Sequence, residues 1–336
     1  MASRFPNLNT TPASVSPNGV YDFNSPVNNA KVYLVVSTVF LVLATLCVAL
    51  KLYVRFAIQR RPGLDDACLV GGLAFTATYI GLLDYLFTHG GARHQWDMSL
   101  ATYEWVIEQQ QLGAKIQQPA YLLIKLSLLL LFYRLFSVRS GFKWAIIAGC
   151  IVVTIIYLVI LFLFVGSTAL KVVVDTGYAL AVINLATDLY ILVLPIGLVS
   201  TLNMPLAKKM GVVGIFGVGL AAVALSSLGI YYRFQTDQGI GIVDQTYTVP
   251  PRASVLTVEM CIGILVSSFP VFPTLLREAS LGTILSNAFQ SLRSRFGTTD
   301  SSKSDDTSHK IHSSENSYPL SHHDKPVSLH SGGSAV

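Results

Sequence analysis

Seven long apolar segments alternate with short polar connections along the chain. They cover residues 32–50, 67–87, 113–136, 144–166, 179–202, 210–232 and 254–276. A segment of about twenty residues, rising about 1.5 Å per residue as a helix, crosses the ~30 Å hydrocarbon core of a bilayer. Continuous apolar runs of this length are typical of helices, whereas the strands of a membrane barrel alternate over about ten residues. The pattern predicts an all-α fold, a polytopic membrane bundle of seven transmembrane helices.

Polar segments flank this bundle and define the remaining parts of the chain. Residues 1–31 and 297–336 are rich in Ser, Asn, Thr, His and Pro, a composition that predicts disordered tails. Residues 277–296 repeat apolar side chains at steps of three and four, which predicts an amphipathic helix on the membrane surface. The transmembrane domain is therefore predicted to span residues 32–276.

The composition of the 336-residue chain agrees with a membrane protein. Apolar residues make up 52% of the chain and charged residues only 12%, about half the charged share of soluble globular proteins. A water-soluble surface is hard to build from so few charged side chains. The composition therefore excludes a secreted or cytosolic enzyme.

Basic residues are unevenly divided between the two sides of the predicted bundle. Fifteen of the 23 lysines and arginines follow the first, third, fifth and seventh segments, and five lie on the opposite side. Because loops rich in Lys and Arg stay in the cytosol, we expect a luminal or extracellular N-terminus and a cytosolic C-terminus. The one glycosylation sequon starts at Asn9, on the expected outer side. The net charge of +5 follows from this bias and requires no nucleic-acid partner.

Polar side chains inside the apolar segments are the candidates for a functional site, because each is unfavourable in hydrocarbon unless it faces a partner or a wet cavity. Lys125 and Asp188 are predicted near mid-membrane, and Glu259 in its outer half, about 8 Å from the start of the seventh helix at ~1.5 Å per residue. We expect these groups to line one ligand pocket that opens outward. The candidate ligand-binding residues are Gln117, Tyr121, Lys125, Asn184, Asp188, Arg233 and Glu259.

A structural interpretation of the same residues stays open. Lys125 and Asp188 would then form an ion pair between the third and fifth helices, and a backbone group or water would satisfy Glu259. An enzymatic interpretation also stays open, since a buried Asp188 or Glu259 could act as a catalytic proton donor.

Known motifs of other membrane and catalytic proteins are missing from the sequence. The seventh segment contains no lysine for a retinal Schiff base, and the third ends in Phe132-Tyr133-Arg134-Leu135 rather than the Asp/Glu-Arg-Tyr triplet of animal receptors. The chain has no phosphate loop, zinc-protease motif or nucleophile turn. We therefore expect no cofactor and no metal site, and His89, His94 and Asp97 are better explained as part of an interfacial loop.

Several short motifs resemble the fungal rhodopsin-like integral membrane family. They are Leu52-Tyr53-Val54-Arg55 with Gly63-Leu64-Asp65-Asp66, Ile124-Lys125-Leu126-Ser127 with Phe132-Tyr133-Arg134-Leu135-Phe136, Asp188 with Leu194-Pro195-Ile196, Met204-Pro205 with Lys208-Lys209, and Glu259 with Phe269-Pro270 and Pro273. The resemblance covers residues 35–280. The family includes plant-pathogen receptor-like proteins and proteins encoded in satratoxin-type clusters, which implies a role in secondary metabolism.

The residues and the resemblance together give two functional hypotheses. The first is a non-retinal membrane protein that binds a small lipophilic metabolite and serves as a receptor-like or accessory component of a secondary-metabolite pathway. The second is a membrane-bound cyclase or isomerase that uses Asp188 or Glu259 as proton donor. Expected partners are membrane lipids, the metabolite, and pathway enzymes or a signalling partner on the cytosolic side, in the plasma membrane or an endomembrane.

Overall fold

The computed structural model describes residues 8–24, 28–136, 140–166, 170–199, 206–237 and 244–271. The predicted surface helix over 277–296 and the C-terminal tail lie outside these residues. Seven long helices occupy the described part of the chain: α1 (Ala30–Tyr53), α2 (Leu64–Thr88), α3 (Leu100–Phe136), α4 (Ser140–Gly166), α5 (Leu170–Val199), α6 (Leu206–Asp237) and α7 (Gln245–Ser268). A π-helical turn (Val54–Ile58) extends α1, and short 3-10 turns cover Gln95–Asp97 and Phe269–Val271.

The predicted all-α membrane bundle is confirmed. Six of the seven helices, α1 to α5 and α7, are long and apolar enough to cross a membrane in their described residues. In the same ranges the only β-structure is an isolated antiparallel bridge between Pro12 and Ser99. The remaining helix, α6, is 32 residues long.

Burial shows which helices lie at the centre of the bundle. In α3 and α7, 61% and 56% of the most apolar stretch is buried, compared with 22% in α1 and 28% in α4. The peripheral helices expose Val, Leu and Phe side chains, such as Val32 and Phe162, as expected for a surface in contact with lipid. α3 and α7 therefore supply most of the groups available for an interior site.

Three helices, α3, α5 and α7, begin nine or more residues before their predicted apolar segments. α3 begins at Leu100 rather than 113, because the polar residues 100–112 include Glu and Gln, which favour helix and continue it outside the apolar region. α5 begins at Leu170 and α7 at Gln245. Glu259 therefore lies about 21 Å from the start of α7 at ~1.5 Å per residue, so the predicted distance of about 8 Å is wrong.

The N-terminal segment and the connection between α2 and α3 cover one end of the bundle. The backbone amides of Leu100 and Ala13 donate to the carbonyls of Thr11 and Met98, at 2.9 and 3.1 Å. The Asp22 amide donates to a carboxylate oxygen of Asp97 at 3.2 Å. Residues 8–24 belong to the tail that composition predicts to be disordered, yet here they are hydrogen-bonded to this connection.

His94 joins the same connection to the start of α7. Its ring stacks against Trp96 and Tyr247, with centroid distances of 4.5 and 4.1 Å, and Nδ1 contacts the Asp244 carboxylate. The Gln95 amide donates to the other Asp244 oxygen at 3.1 Å. Within the described ranges, no three His, Cys, Asp or Glu side chains are placed to hold a metal ion.

A buried ionic cluster of Lys51, Arg55, Asp65, Asp66 and Arg134 joins α1, α2 and α3 at the opposite end of the bundle. The Lys51 ammonium lies 3.4 and 3.3 Å from the carboxylates of Asp65 and Asp66. Arg134 Nη1 lies 3.2 Å from Asp65, and Arg55 lies 3.8 Å from both acids. Asp66 also accepts the Gly63 amide at 3.0 Å, which caps the first turn of α2.

Two serines extend the ionic cluster to α7. The Ser127 hydroxyl donates to the Asp65 carbonyl at 2.8 Å and lies 2.7 Å from the Ser267 hydroxyl. Ser267 accepts a hydrogen bond from Lys51 Nζ at 3.4 Å. Four helices therefore depend on one set of buried polar contacts.

Replacing Lys51 by Met should lower the thermal unfolding midpoint of the purified protein. Asp65 and Asp66 would lose their most buried cation and keep Arg55, at 3.8 Å, and the partly exposed Arg134. Breaking a buried ion pair costs roughly 3–5 kcal/mol, and the two remaining arginines should offset part of that cost. A thiol-reactive dye that reports exposure of Cys47, Cys68, Cys150 and Cys261 measures the unfolding. Lys31→Met makes the same replacement at the exposed start of α1 and should leave the midpoint unchanged. Equal midpoints in both variants would contradict a stabilising cluster.

Candidate functional site

A second set of buried polar contacts, the central network, joins α3, α4, α5, α6 and α7. Every member is a side chain inside a helix, and each contacts at least one member on another helix. The network consists of Tyr121, Lys125, Tyr157, Asn184, Thr187, Asp188, Ser226 and Glu259.

Lys125 is fully paired within the network. Its ammonium group donates to Asp188 Oδ1 and Thr187 Oγ1, both at 2.6 Å, and to the Asn184 carbonyl at 3.1 Å. These three acceptors match the three ammonium protons, and only 3% of the residue is exposed. The ion pair between the third and fifth helices, which the sequence left as an alternative, is therefore present.

Side chains rather than a backbone group satisfy Glu259. The Tyr121 hydroxyl donates to Oε2 at 3.2 Å, and the Ser226 hydroxyl lies 2.7 Å from Oε1. The Asn184 amide nitrogen also contacts Oε1, while Asn184 Oδ1 accepts the Tyr157 hydroxyl at 3.0 Å. The carboxylate of α7 thus holds α3, α5 and α6 together, and Asn184 adds α4.

Ser226 lies between the two carboxyl groups of the network. Its oxygen is 2.5 Å from Asp188 Oδ2 and 2.7 Å from Glu259 Oε1, but a serine hydroxyl has one proton to donate. Ser226 can therefore donate to one carboxyl group at a time. The network contains two acids and one cation, and the Lys125 ammonium pairs with Asp188.

Two cavities adjoin the central network, and a third, larger cavity shares lining residues with one of them. The large cavity, of about 190 Å³, is lined by Gln110, Gln111, Gln117, Gln118, Arg233, Gln245, Arg252 and apolar side chains. The linking cavity, of about 40 Å³, shares Gln117, Arg233 and Arg252 with it and also reaches Tyr121, Asn184, Ser226 and Glu259. The central cavity, of about 50 Å³, is lined by Tyr121, Lys125, Asp188, Glu259 and apolar residues.

The structure brings together the residues that the sequence singled out. Five of the seven candidates belong to the central network: Tyr121, Lys125, Asn184, Asp188 and Glu259. Gln117 and Arg233 instead line the large and linking cavities. Glu259 contacts Tyr121 and Asn184, each one helical turn from Lys125 and Asp188, and Ser226 links it to Asp188.

Sequence reasoning missed Tyr157, Thr187, Ser226 and Arg252. Hydroxyl side chains in apolar helices commonly bond their own backbone, as Ser227 does with the Val223 carbonyl at 2.8 Å. The adjacent Ser226 looks the same in sequence, and only helix packing shows that it faces two carboxyl groups. Arg252 was assigned to a loop because the apolar segment begins at 254, two residues after it.

Asp188→Asn and Glu259→Gln should affect stability differently. Asp188→Asn removes the counter-charge of Lys125, and an uncompensated buried ammonium costs roughly 3–5 kcal/mol. Glu259→Gln retains an acceptor of similar size and leaves the ion pair between Lys125 and Asp188 in place. We expect a clearly lowered thermal midpoint for Asp188→Asn and a nearly unchanged one for Glu259→Gln. Adding Lys125→Met to Asp188→Asn should restore part of the loss, and a larger loss in Glu259→Gln would contradict the assignment of Asp188 as the counter-charge of Lys125.

Comparison with known proteins places this bundle among fungal membrane proteins. The family model described as the fungal rhodopsin domain matches residues 50–167 and 172–278, which include the central network and the ionic cluster. Fugralins biosynthesis cluster protein 2 of Gibberella zeae is 23% identical over 314 residues, covering 83% of this chain and 74% of that protein. No solved structure matches the chain. The family match extends over more than half of the sequence, and the chain belongs to the fungal rhodopsin domain family.

Proposed function

We propose that the protein binds a small lipophilic molecule in the cavities next to the central network and acts as a receptor-like or accessory component of a secondary-metabolite pathway. The observation that carries this proposal is the continuity of the cavities. Tyr121 and Glu259 line both the central and the linking cavity, and Arg233 lines both the linking and the large cavity. A molecule in these spaces would touch groups that hold four helices together.

Contact with these groups gives a ligand a way to change the bundle. A ligand shifts a conformational equilibrium only through different interactions with the two states. Binding beside Tyr121 and Glu259 would compete with their 3.2 Å hydrogen bond, which joins α3 to α7. The absence of lysine from α7 supports a ligand other than retinal.

The link to secondary metabolism rests on the family and on the relative named for a biosynthesis cluster. We propose the same topology as the basic residues predict, with the N-terminus outside or luminal and the C-terminus cytosolic. Pathway enzymes or a signalling partner would then meet the cytosolic face. The membrane would be the plasma membrane or an endomembrane.

An enzymatic role is the second candidate, and one observation favours it. Asp188 and Glu259 line the same central cavity and share the Ser226 hydroxyl. A carboxyl group that holds a proton in such a site could protonate a double bond or epoxide of a lipophilic substrate. An enzyme would convert its substrate in isolated microsomes without other components, whereas a receptor-like or accessory protein would not.

Metabolite profiling tests the leading proposal. A deletion strain is complemented with the wild-type protein, Asp188→Asn, Glu259→Gln or the control Glu108→Gln, which changes an exposed acid of α3; protein levels are matched by immunoblot. We expect the deletion and Glu259→Gln to reduce all pathway products at least tenfold, and Glu108→Gln to retain them.

Two other outcomes of this profiling contradict the proposal. Accumulation of one defined precursor in the deletion and both network variants would assign an enzymatic step to these acids. Full production in both network variants, with loss only in the deletion, would contradict a role of the cavities.

Glycosylation at Asn9 tests the proposed topology. Asn9 is exposed and begins the sequon Asn9-Thr10-Thr11, so an outer or luminal N-terminus should carry a glycan in the native fungus. Endoglycosidase treatment should increase the gel mobility of the wild type and of Thr11→Ser, which keeps the sequon. The same treatment should leave Asn9→Gln unchanged. Equal mobility of treated and untreated wild type would contradict the proposed outer site.

A further inference from the structure

We propose that the large cavity binds the carboxylate group of an amphiphilic ligand, with Arg233 as its principal contact. The inference rests on the proposed function and names the chemical class of the molecule that these cavities receive. Three features of the described residues support it: an arginine without a carboxylate partner, a second arginine in the same cavity, and buried glutamine atoms without hydrogen-bond partners.

Arg233 presents a cationic group to the cavity without an acidic partner. Its guanidinium lies 5.5 Å from the centroid of the Tyr178 ring, a cation–π contact. Within the described ranges, no Asp or Glu oxygen lies within 4 Å of its nitrogens. A guanidinium inside a bundle normally pairs with an acid or a polar ligand, because desolvation of an unpaired charge is unfavourable.

Arg252 adds a second positive charge to the same space. Both arginines line the large and the linking cavities. Two like charges facing one cavity repel each other, and an anion bound between them would reduce that repulsion. A carboxylate matches the planar, two-pronged geometry of a guanidinium, which favours it over a neutral polar group.

Glutamines of α3 provide further polar contacts. Gln118 is only 1% exposed and lines the large cavity. Its Nε2 donates to the Ala114 carbonyl at 3.1 Å, but its Oε1 has no hydrogen-bond partner among the described residues, and neither does Gln110 Nε2. A buried polar atom without a partner loses roughly 1–3 kcal/mol. A carboxylate oxygen can accept a hydrogen bond from Gln110 Nε2, whereas Gln118 Oε1 is itself an acceptor and needs a donor such as a hydroxyl group.

The apolar lining and the volume of the large cavity indicate the apolar part of the ligand. Apolar side chains such as Leu83, Phe164, Leu180 and Leu256 complete the wall. The volume of about 190 Å³ is many times the roughly 10–15 Å³ of comparable space that one water molecule needs. The cavity therefore has room for a carboxylate together with part of its apolar chain. The expected ligand is therefore an amphiphilic acid.

A series of ten-carbon amphiphiles with different head groups tests the inference. The full chain is placed in phosphatidylcholine nanodiscs, and binding of radiolabelled decanoate, decanol and decylamine is measured by equilibrium dialysis, with empty nanodiscs subtracted. We expect saturable binding of decanoate, at least tenfold tighter than that of decanol, and no saturable binding of decylamine.

Variants locate the binding to the cavity. Arg233→Gln should weaken decanoate binding at least tenfold and leave decanol binding unchanged, and Arg233→Lys should fall between wild type and Arg233→Gln. Lys115→Gln removes a positive charge from the same helix as Gln118 but outside the lining, and should bind decanoate as the wild type does. Each variant is checked for an unchanged thermal midpoint in the absence of probe.

Several results would overturn the inference without deciding the proposed function. These are equal affinity for decanoate and decanol, unchanged decanoate binding by Arg233→Gln, and no saturable binding of any probe. Loss of decanoate binding when phosphatidylglycerol is added to the nanodiscs would assign the site to a lipid head group, which also overturns it. The proposed function is judged separately, by the metabolite profiles of the Asp188 and Glu259 variants.

Discussion

Pairing of the Lys125 ammonium group is the constraint on which the interior of the bundle depends. A charge on a central, buried helix needs a partner for each proton, and Lys125 finds all three on α5. Asp188, which neutralises it, reaches Ser226 on α6, and Ser226 reaches Glu259 on α7. The chain of contacts that begins at this buried cation therefore links four helices, and each polar group in it depends on the position of the one before.

The central network and the ionic cluster with its two serines are polar layers at different levels of the bundle, and α3 and α7 contribute to both. Ser127 and Lys125 lie two residues apart on α3, and Ser267 lies about two turns from Glu259 on α7. A movement of α3 or α7 at the cavities would therefore change contacts in the ionic cluster as well. This connection suits a protein that reports ligand binding to its other face, which is the role we propose.

The cavities differ in chemistry along the bundle. The central cavity is lined by Lys125, Asp188 and Glu259, whereas the large cavity carries two arginines and several glutamines. A neutral lipophilic molecule gains little from the second environment, but an amphiphilic acid places its polar and apolar parts against matching walls. The chain belongs to the fungal rhodopsin domain family, and α7 contains no lysine that could form a retinal Schiff base.

The sequence by itself determined the membrane bundle and most of the residues in its interior. Apolar segments of about twenty residues form helices in hydrocarbon, because a helix bonds all backbone groups within the segment. Polar residues such as Lys125 and Asp188 are easy to identify within such segments. The sequence did not determine where α7 begins, since polar residues continue a helix without an apolar signal, and so Glu259 and Arg252 were misplaced. Nor did it distinguish Ser226 from Ser227, because neighbouring residues on a helix point in different directions and only packing against α5 and α7 decides which one is buried. The tertiary structure decided these contacts, and with them the shape and charge of the cavities.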